Sequence, residues 1–319
     1  MQQVDEVTAW FVRQFTGYLW LRSVNAGERH HGSGYGGIST YASNISYRAW
    51  NGLKSTSYGD GRALFVSYDN RLRPTQWYIP NVMRWNYAYD NFNEKTGRIT
   101  YAQNLDDGTL DRSYDYDHVG RLIEARTGSE ARGHLIGQGG AQDGPYAHSY
   151  RYDQMGNMWY RVGWGGWFNP WLEQWPSYVN NRLTTNPWTS ASMSYDAAGN
   201  LTNDGYQTYT YDATGQQTYA SGTALTQSYD GDGLRVKKVE SGTTTYYLRS
   251  SVLGGQVISE IGSSGGLQRG YVYFGNQLLA IQQSNQVSWV HQDPVTKSQR
   301  MTNGSGTVTS TVDLGSLGR

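Results

Sequence analysis

Polar and apolar positions alternate along most of this chain. From Met193 to Leu234 it reads MSYDAAGNLTNDGYQTYTYDATGQQTYASGTALTQSYDGDGL, with aromatic or apolar residues at every second place on either side of short breaks. A period of two marks a β-strand with one covered face. The breaks recur in one form. Tyr195-Asp196 leads to Gly199, Tyr211-Asp212 to Gly215, and Tyr229-Asp230 to Gly233. An Asp in such a break accepts backbone N–H groups, and Gly takes the positive φ of a turn that ends in a bulge. Each unit therefore predicts a strand ending on Tyr, a tight reversal, and a return strand beginning near Asn200-Leu201 or Leu234-Arg235.

The same unit stands upstream at Tyr116-Asp117 with Gly120, and at Tyr152-Asp153 with Gly156. Weaker copies precede it. Tyr47 to Leu53 has Arg48 where Asp would stand. Tyr68-Asp69 lacks the Gly, so Leu72 is expected to resume the strand early. Tyr89-Asp90 has a longer loop before Gly97. After Leu234, roughly four or five more strands are expected, joined by Ser-Gly, Gly-Gly, Gly-Asn and Asn-Gly-Ser-Gly turns. Repetition at roughly 20-residue intervals signals an array of hairpins rather than an enclosed globular core.

Two stretches interrupt the array. Gly128 to Gly144 reads as a Gly-rich loop. Residues 159–188 form a Trp-rich insertion holding Trp159, Trp164, Trp167, Trp171, Trp175 and Trp188, with Pro and Gly that rule out a regular helix or an unbroken strand. Residues 1–37 are the least regular. Their apolar spacing fits a short helix as well as strands, and they are expected to be a plug or linking segment. Residues 38–319 are expected to form the repeat body.

Composition agrees with many short strands and turns. The 319 residues include 40 Gly, 27 Tyr and 12 Trp. Lys and Arg number 26, as do Asp and Glu, so the formal net charge is zero. No bulk electrostatic pull toward nucleic acid or an anionic membrane follows from that balance. There is no Cys, hence no disulfide framework, thiolate metal site or cysteine nucleophile. No apolar run is long enough for a transmembrane helix. The opening MQQVDEVTAWFVRQF lacks the basic leader and apolar core of a signal peptide. Either no export by the signal-peptide route or a start inside a longer precursor is expected.

Candidate chemistry is sparse. His30-His31 has no third ligand at metal spacing. Asp230-Gly231-Asp232-Gly233 lacks the further acids of a calcium loop, and Asp106-Asp107-Gly108 with Asp111 is an acidic turn. No metal or cofactor is expected. GxSxG does not occur, and no paired carboxylates or Ser, His and Asp stand in a recognisable catalytic motif. The Tyr and Asp of each unit read as structural. The best candidate for a binding surface is the Trp-rich stretch. Indole faces of Trp164, Trp167, Trp171 and Trp175 would stack on sugar C–H groups, with Asn169 and Gln174 bonding hydroxyls. The competing role for these rings is core packing, because so many Trp would otherwise leave a large apolar patch exposed.

The YD-x-x-G-[NR]-L units at Tyr116, Tyr152 and Tyr195, with variants at Tyr211 and Tyr229, resemble the RHS/YD-repeat family. So does the run YDGDGLRVKKV…TTYYL…GGQVISE…YVYFGNQLLAI…WVHQD…SQRMTNGSGTV from Tyr229 to Val308, which is similar to the family's RHS-associated core. The resemblance covers roughly residues 40–319. It implies an all-β fold, an antiparallel sheet of YD-repeat hairpins winding spirally into a hollow shell, barrel or tube segment. Toxin-complex cocoons, RHS polymorphic toxins and teneurin barrels are such shells, and their repeats are structural. In many relatives the core closes with an Asp-Pro-x-Gly element linked to self-cleavage. The corresponding stretch here, Val312-Asp313-Leu314-Gly315, departs from it, and Asp293-Pro294 lies earlier, inside a strand pair. Self-cleavage is not expected.

The expected function is thus a non-catalytic scaffold, secreted or on a bacterial cell surface. It would enclose a toxin domain, or self-associate into an oligomer or filament. The alternative is a glycan-binding adhesion module using the Trp-rich stretch. An autoprotease or glycosidase is the least expected class. Neither nucleic-acid binding nor membrane insertion is expected.

Overall fold

The computed structural model describes residues 24–25, 37–90, 97–133, 144–164, 172–187 and 189–313. The strands run β1 (Val24–Asn25), β2 (Thr40–Tyr47), β3 (Leu53–Tyr58), β4 (Ala63–Tyr68), β5 (Pro74–Ile79), β6 (Met83–Tyr89) and β7 (Ile99–Asn104). They continue as β8 (Arg112–Tyr116), β9 (Leu122–Thr127), β10 (Ala147–Tyr152), β11 (Met158–Trp164), β12 (Leu172–Gln174), β13 (Tyr178–Val179), β14 (Arg182–Leu183), β15 (Ser194–Tyr195) and β16 (Leu201–Asn203). Then come β17 (Tyr209–Tyr211), β18 (Gln217–Ala220), β19 (Leu225–Tyr229), β20 (Arg235–Glu240) and β21 (Thr243–Ser250). The last are β22 (Gln256–Gly262), β23 (Leu267–Phe274), β24 (Gln277–Gln283), β25 (Gln286–Gln292), β26 (Gln299–Thr302) and β27 (Val308–Val312). The protein is all-β, as the alternation predicts. β1–β12 and β17–β27 form two large antiparallel sheets in which spatial order follows chain order.

Several boundaries differ from the sequence expectation. More strands follow Leu234 than expected, because two-residue loops reverse the chain without long polar breaks. Ser284-Asn285, both with positive φ, turns β24 into β25, and Ser241-Gly242 turns β20 into β21. Gly128–Ala131 is a one-turn helix, α1, within the stretch read as loop. Leu72 does not resume the strand. It occupies the loop position that Gly holds elsewhere, at φ 64°, and β5 begins at Pro74. Asp69 Oδ1 accepts the N–H groups of Arg71 and Arg73, which clamps the loop in the shape of the other units and forces Leu72 left-handed. Of residues 1–37, Val24 and Asn25 pair with Ala42 and Thr40 of β2. His30-His31 lies outside the described residues.

The chain divides into two compact units. One comprises Met1–Asp107, Ser250–Ser259 and Leu267–Arg319, and the other Gly108–Arg249 with Glu260–Gly266. The first unit has the larger apolar core. On β4, Leu64 and Val66 are buried while Phe65 between them is exposed. β5 and β6 contribute Trp77, Ile79, Met83, Trp85 and Tyr87, and β24 and β25 contribute Leu279, Ala280, Val287, Trp289 and Val290. Each fully buried large apolar side chain contributes about 1.5–3 kcal/mol. The second unit is leaner. Ala125, Tyr146, Ala147 and Tyr150 are buried, but from β16 to β20 most residues are only half-buried. Apolar burial is thin there, so hydrogen bonding carries more of the specification.

Candidate functional site

The Tyr-Asp-x-x-Gly loops share one geometry. In each, the first Asp oxygen accepts backbone N–H groups from across the loop. Asp117 Oδ1 accepts from Val119 and Arg121, at 3.1 and 2.8 Å. Asp153 Oδ1 accepts from Met155 and Asn157, at 2.9 and 2.8 Å. Asp212 Oδ1 accepts from Thr214 and Gln216, and Asp230 Oδ1 from Asp232 and Leu234. Asp196 Oδ1 accepts from Asn200 at 2.8 Å. The loop Gly donates its N–H to the Asp carbonyl and needs positive φ to do so: Gly120, Gly156, Gly199, Gly215 and Gly233 lie between 77° and 95°. These bonds favour the charged carboxylate. The Asn200 side chain and backbone hold Asp196 below the usual carboxylate range, as Asn157 does for Asp153 and Thr214 for Asp212. For Asp117, desolvation pulls the pKa up, but the Arg121 backbone N–H and guanidinium outweigh it.

Each hairpin carries a bulge in the same place. Tyr116 pairs with Leu122 while Asp115 pairs with Glu124, so Ile123 is the extra residue. The extra residues of the following units are Trp159, Thr202, Thr218 and Val236, by the same skip. A bulge interrupts the hydrogen-bond ladder and bends the strand. On the return strand of each hairpin, bulged or not, the tyrosine hydroxyl of the next hairpin supplies a donor. Tyr152 donates to Leu122 O at 2.9 Å, and Tyr178 to Met158 O at 3.1 Å. Tyr195 donates to Leu183 O, Tyr211 to Leu201 O and Tyr229 to Gln217 O, at 2.8, 2.7 and 2.8 Å. Arg249 Nε takes the tyrosine's part on Arg235 O, at 2.9 Å. The accepting residue in each case is the strand partner of the previous hairpin's tyrosine or its equivalent. Tyr178–Leu183 shares these hydroxyl-to-carbonyl bonds but carries no bulge, and it lies in the stretch read as an insertion. Its loop is Asn180-Asn181, both at positive φ. Guanidinium groups add stacking: Arg121 lies over Tyr152 at 4.9 Å and Arg182 over Tyr195 at 5.7 Å.

The residues expected to bind glycan do not all meet. Trp167, Asn169 and Trp171 lie outside the described residues, as does Trp188. Trp164 ends β11. Gln174 and Trp175 point to opposite sides of β12 and its continuation. Gln174 is 5% exposed and Trp175 62%. Gln174 is thus withdrawn from the surface that Trp175 presents. Trp175 instead contacts Trp159 at 5.8 Å and Tyr160 at 4.4 Å between ring centroids.

The first unit holds a buried polar cluster that no sequence motif announces. Thr302 Oγ1 donates to Asp60 Oδ2 and accepts from His291 Nε2 at 2.8 Å, with His291 Nε2 also 3.4 Å from Asp60 Oδ2. The edge of Tyr58 or of the imidazole meets the other ring at 4.5 Å and 87°. Burial would raise the Asp60 pKa, but hydrogen bonds from His291, Thr302 and the Arg62 N–H hold it below the usual range. Alongside, Asp293 accepts from the Tyr87 hydroxyl and from Val295 and Thr296 N–H groups, and Trp289 Nε1 donates to Tyr41 O at 3.0 Å. The side chains of Asp60 and His291 are fully buried. Here the hydroxyl donates to the carboxylate and accepts from the imidazole, the reverse of a hydroxyl activated by a histidine base. The cluster pins β25 and β26 to the strands around Tyr58 and Tyr87. Among the described residues, no three His, Asp or Glu groups gather as metal ligands, and no helix is long and apolar enough to cross a membrane.

Solved structures share this fold. The chain resembles the crystal structure of TcdB2-TccC3-TEV with a TM-score of 0.66 and 15% identity, over 88% of this chain and 16% of that one. It resembles the Photorhabdus luminescens Tc holotoxin pore with a TM-score of 0.63 and 14% identity, over the same shares, 88% and 16%. The crystal structure of TcdB2-TccC3-Cdc42 gives 0.64 and 15%, again over 88% and 16%. This chain thus spans 16% of the length of those it matches. No protein-family model and no curated protein sequence matches it. The likeness is one of fold, and at that level it agrees with the YD-repeat resemblance of the sequence.

Proposed function

We propose that this chain is a wall segment of a YD-repeat β-shell, a non-catalytic scaffold acting outside the bacterial cell or on its surface. The carrying observation is the run of side-chain-to-carbonyl bonds, five from tyrosine hydroxyls between Tyr152 and Tyr229 and one from the Arg249 guanidinium, which ties each hairpin to the one before it. In that run the Tyr hydroxyls and Asp carboxylates are spent on holding loops and strands. The fold shared with Tc toxin components supports the same reading. A wall segment works by association, enclosing a toxin domain or joining copies of itself through sheet edges. Among the described residues, β27 ends its sheet with every residue exposed, and an unprotected edge recruits further strands.

The test is light scattering over a concentration series, with electron microscopy and intact-mass measurement of the same samples. Assemblies that shrink when Thr309→Lys and Thr311→Lys place charge on β27, at unchanged chain mass, are the expected result. Particles that stay monomeric at every concentration would remove the self-association arm. Spontaneous chain cleavage, or turnover of a peptide or glycan panel, would overturn the non-catalytic reading.

A further inference from the structure

The bulge at Trp159 has an outcome that its counterparts lack. In an unbroken strand Trp159 and Tyr160 would face opposite sides of the sheet. Here Arg151 pairs with Tyr160 and Tyr152 with Met158, so Trp159 is the extra residue and is freed from that rule. Both rings reach Trp175, which follows β12: Trp159 at 5.8 Å and Tyr160 at 4.4 Å, with Trp159 and Tyr160 themselves 5.9 Å apart. The cluster is open, with Trp159 39% and Trp175 62% exposed. The equivalent bulge positions in neighbouring units hold Ile123, Thr202, Thr218 and Val236, which build no such surface. Exposed apolar residues scattered singly are ordinary, whereas contiguous exposed apolar surface, here built by three contacting aromatic rings, is the kind that serves ligand or partner binding.

The rim of this aromatic shelf is polar. Glu173 stands diagonally across the β11–β12 ladder from Tyr160, exposed, with the Tyr160 hydroxyl donating to it across a long 3.4 Å. Arg151, opposite Tyr160 on β10, is exposed and makes no ion pair among the described residues. Its guanidinium acts on the Tyr160 phenol, opposing the upward push of desolvation and of Glu173. Behind the shelf the sheet is packed: Tyr150 and Gln174 are buried on the other face. The rings therefore stand on a fixed backing.

We propose that Trp159, Tyr160 and Trp175, with Glu173 and Arg151 at their rim, bind a neutral carbohydrate. A pyranose ring has an apolar face of axial C–H bonds, which stacks on an indole, and a belt of hydroxyls at its edge. The two planar forks at the rim, a carboxylate that accepts and a guanidinium that donates, match vicinal hydroxyl pairs of that belt. One acid and one base cancel, so an anionic sugar, a phosphate or an acidic membrane gains nothing net from the rim. An apolar peptide would use the rings and strand the two charges. The site does not rest on the shell reading: a wall segment and a free adhesion module would both carry it.

The experiment titrates cellopentaose, chitopentaose and mannopentaose separately into the full chain, followed by tryptophan fluorescence and calorimetry. At least one is expected to bind saturably, with Trp175→Ala weakening it by about tenfold or more and Trp175→Phe retaining part of the affinity. Trp159→Ala is the second variant, and Tyr211→Phe, in the hairpin ladder, leaves binding unchanged. Circular dichroism and Tm of the Trp175→Ala protein stay those of the parent, since the ring is mostly exposed. Failure of all three sugars to bind overturns the proposal, as does binding indifferent to both tryptophan variants. If Trp175→Ala instead lowers the scattering mass without sugar, the shelf is a contact between copies of the chain and the carbohydrate site is rejected.

Discussion

Replacing Tyr178, Tyr195, Tyr211 and Tyr229 together by Phe removes four oxygen atoms and leaves every ring in place. What is lost is four hydroxyl-to-carbonyl bonds of 3.1, 2.8, 2.7 and 2.8 Å. A neutral hydrogen bond contributes about 0.5–1.5 kcal/mol net. These rings are half-buried, so water reaches part of each orphaned carbonyl and the middle of that range applies. The sum is about 4 kcal/mol if the bonds are independent. For a unit on the order of 150 residues, 1 kcal/mol moves Tm by about 2–4 °C, so the quadruple variant should melt about 8–16 °C lower and each single variant about 2–4 °C lower. Tyr206→Phe is the control, since that ring is 75% exposed and its hydroxyl bonds nothing among the described residues. Calorimetry gives the Tm and shows whether the two units melt together. A quadruple variant within about 2 °C of the parent would mean that water replaces the hydroxyls at no cost. The ladder would then be incidental, and the wall reading would lose the observation that carries it.

Acid should weaken the protein through its hairpin loops. The Asp153, Asp196 and Asp212 carboxyls are held below their ordinary range in the folded state, so their contribution is complete above the unfolded pKa and lost as pH falls through the folded one. Tm should stay level from neutrality to about pH 5 and fall below about pH 4, and the fall should soften when all three are changed to Asn. Thr302→Val takes the bridging hydroxyl from between Asp60 and His291 and leaves a fully buried carboxylate oxygen short of a donor. Urea titration should register a loss of about 3 kcal/mol, and a loss under about 0.5 kcal/mol would show that the pair closes on itself. Leu72→Gly should stabilise slightly. It relieves a left-handed leucine, at about 1–2 kcal/mol, against about 0.5–1 kcal/mol for the added freedom of the unfolded chain, and a lowered Tm would contradict this account of the loop.

The sequence showed the strands and the Tyr-Asp loops because both are local. Alternation sets a strand's two faces, and an Asp three residues before a Gly sets a loop, without reference to anything distant. It did not show what the Tyr hydroxyl bonds, since the acceptor belongs to another hairpin and is fixed only by register. The hairpin at Tyr178 was hidden by its surroundings: Trp and Pro on both sides masked a loop of Asn180-Asn181 that needs no Gly. Leu72 misled for the converse reason. An apolar residue looks like strand, and the bonds from Asp69 that hold it in the loop outweigh that preference. The Asp60, His291 and Thr302 cluster was beyond local reading, with its carboxylate 242 positions from its hydroxyl. On the expected glycan site, Gln174 is buried and Trp175 exposed, a difference set by the pairing of β12 with β11, which no local pattern states.

The bulge connects the scaffold to the proposed site. A shell built of strict two-residue alternation would present one fixed set of side chains outward and one inward, and any binding surface would have to replace wall residues. An extra residue at a constant place in each Tyr-Asp-x-x-Gly hairpin escapes that constraint. The tyrosine of the next unit bonds the backbone beside it whatever side chain the extra residue carries, as Ile123, Trp159, Thr202 and Thr218 in the bulged units illustrate. That position can therefore change identity while the ladder persists. Trp159 is such a change, and it alters the surface without altering the hydrogen bonds that hold β11 to its neighbours. Binding and wall-building then draw on different atoms of the same hairpin, side chains in one case and backbone carbonyls in the other. Loss of either leaves the other measurable, which is why the shelf variants and the tyrosine variants should separate cleanly in binding and in melting.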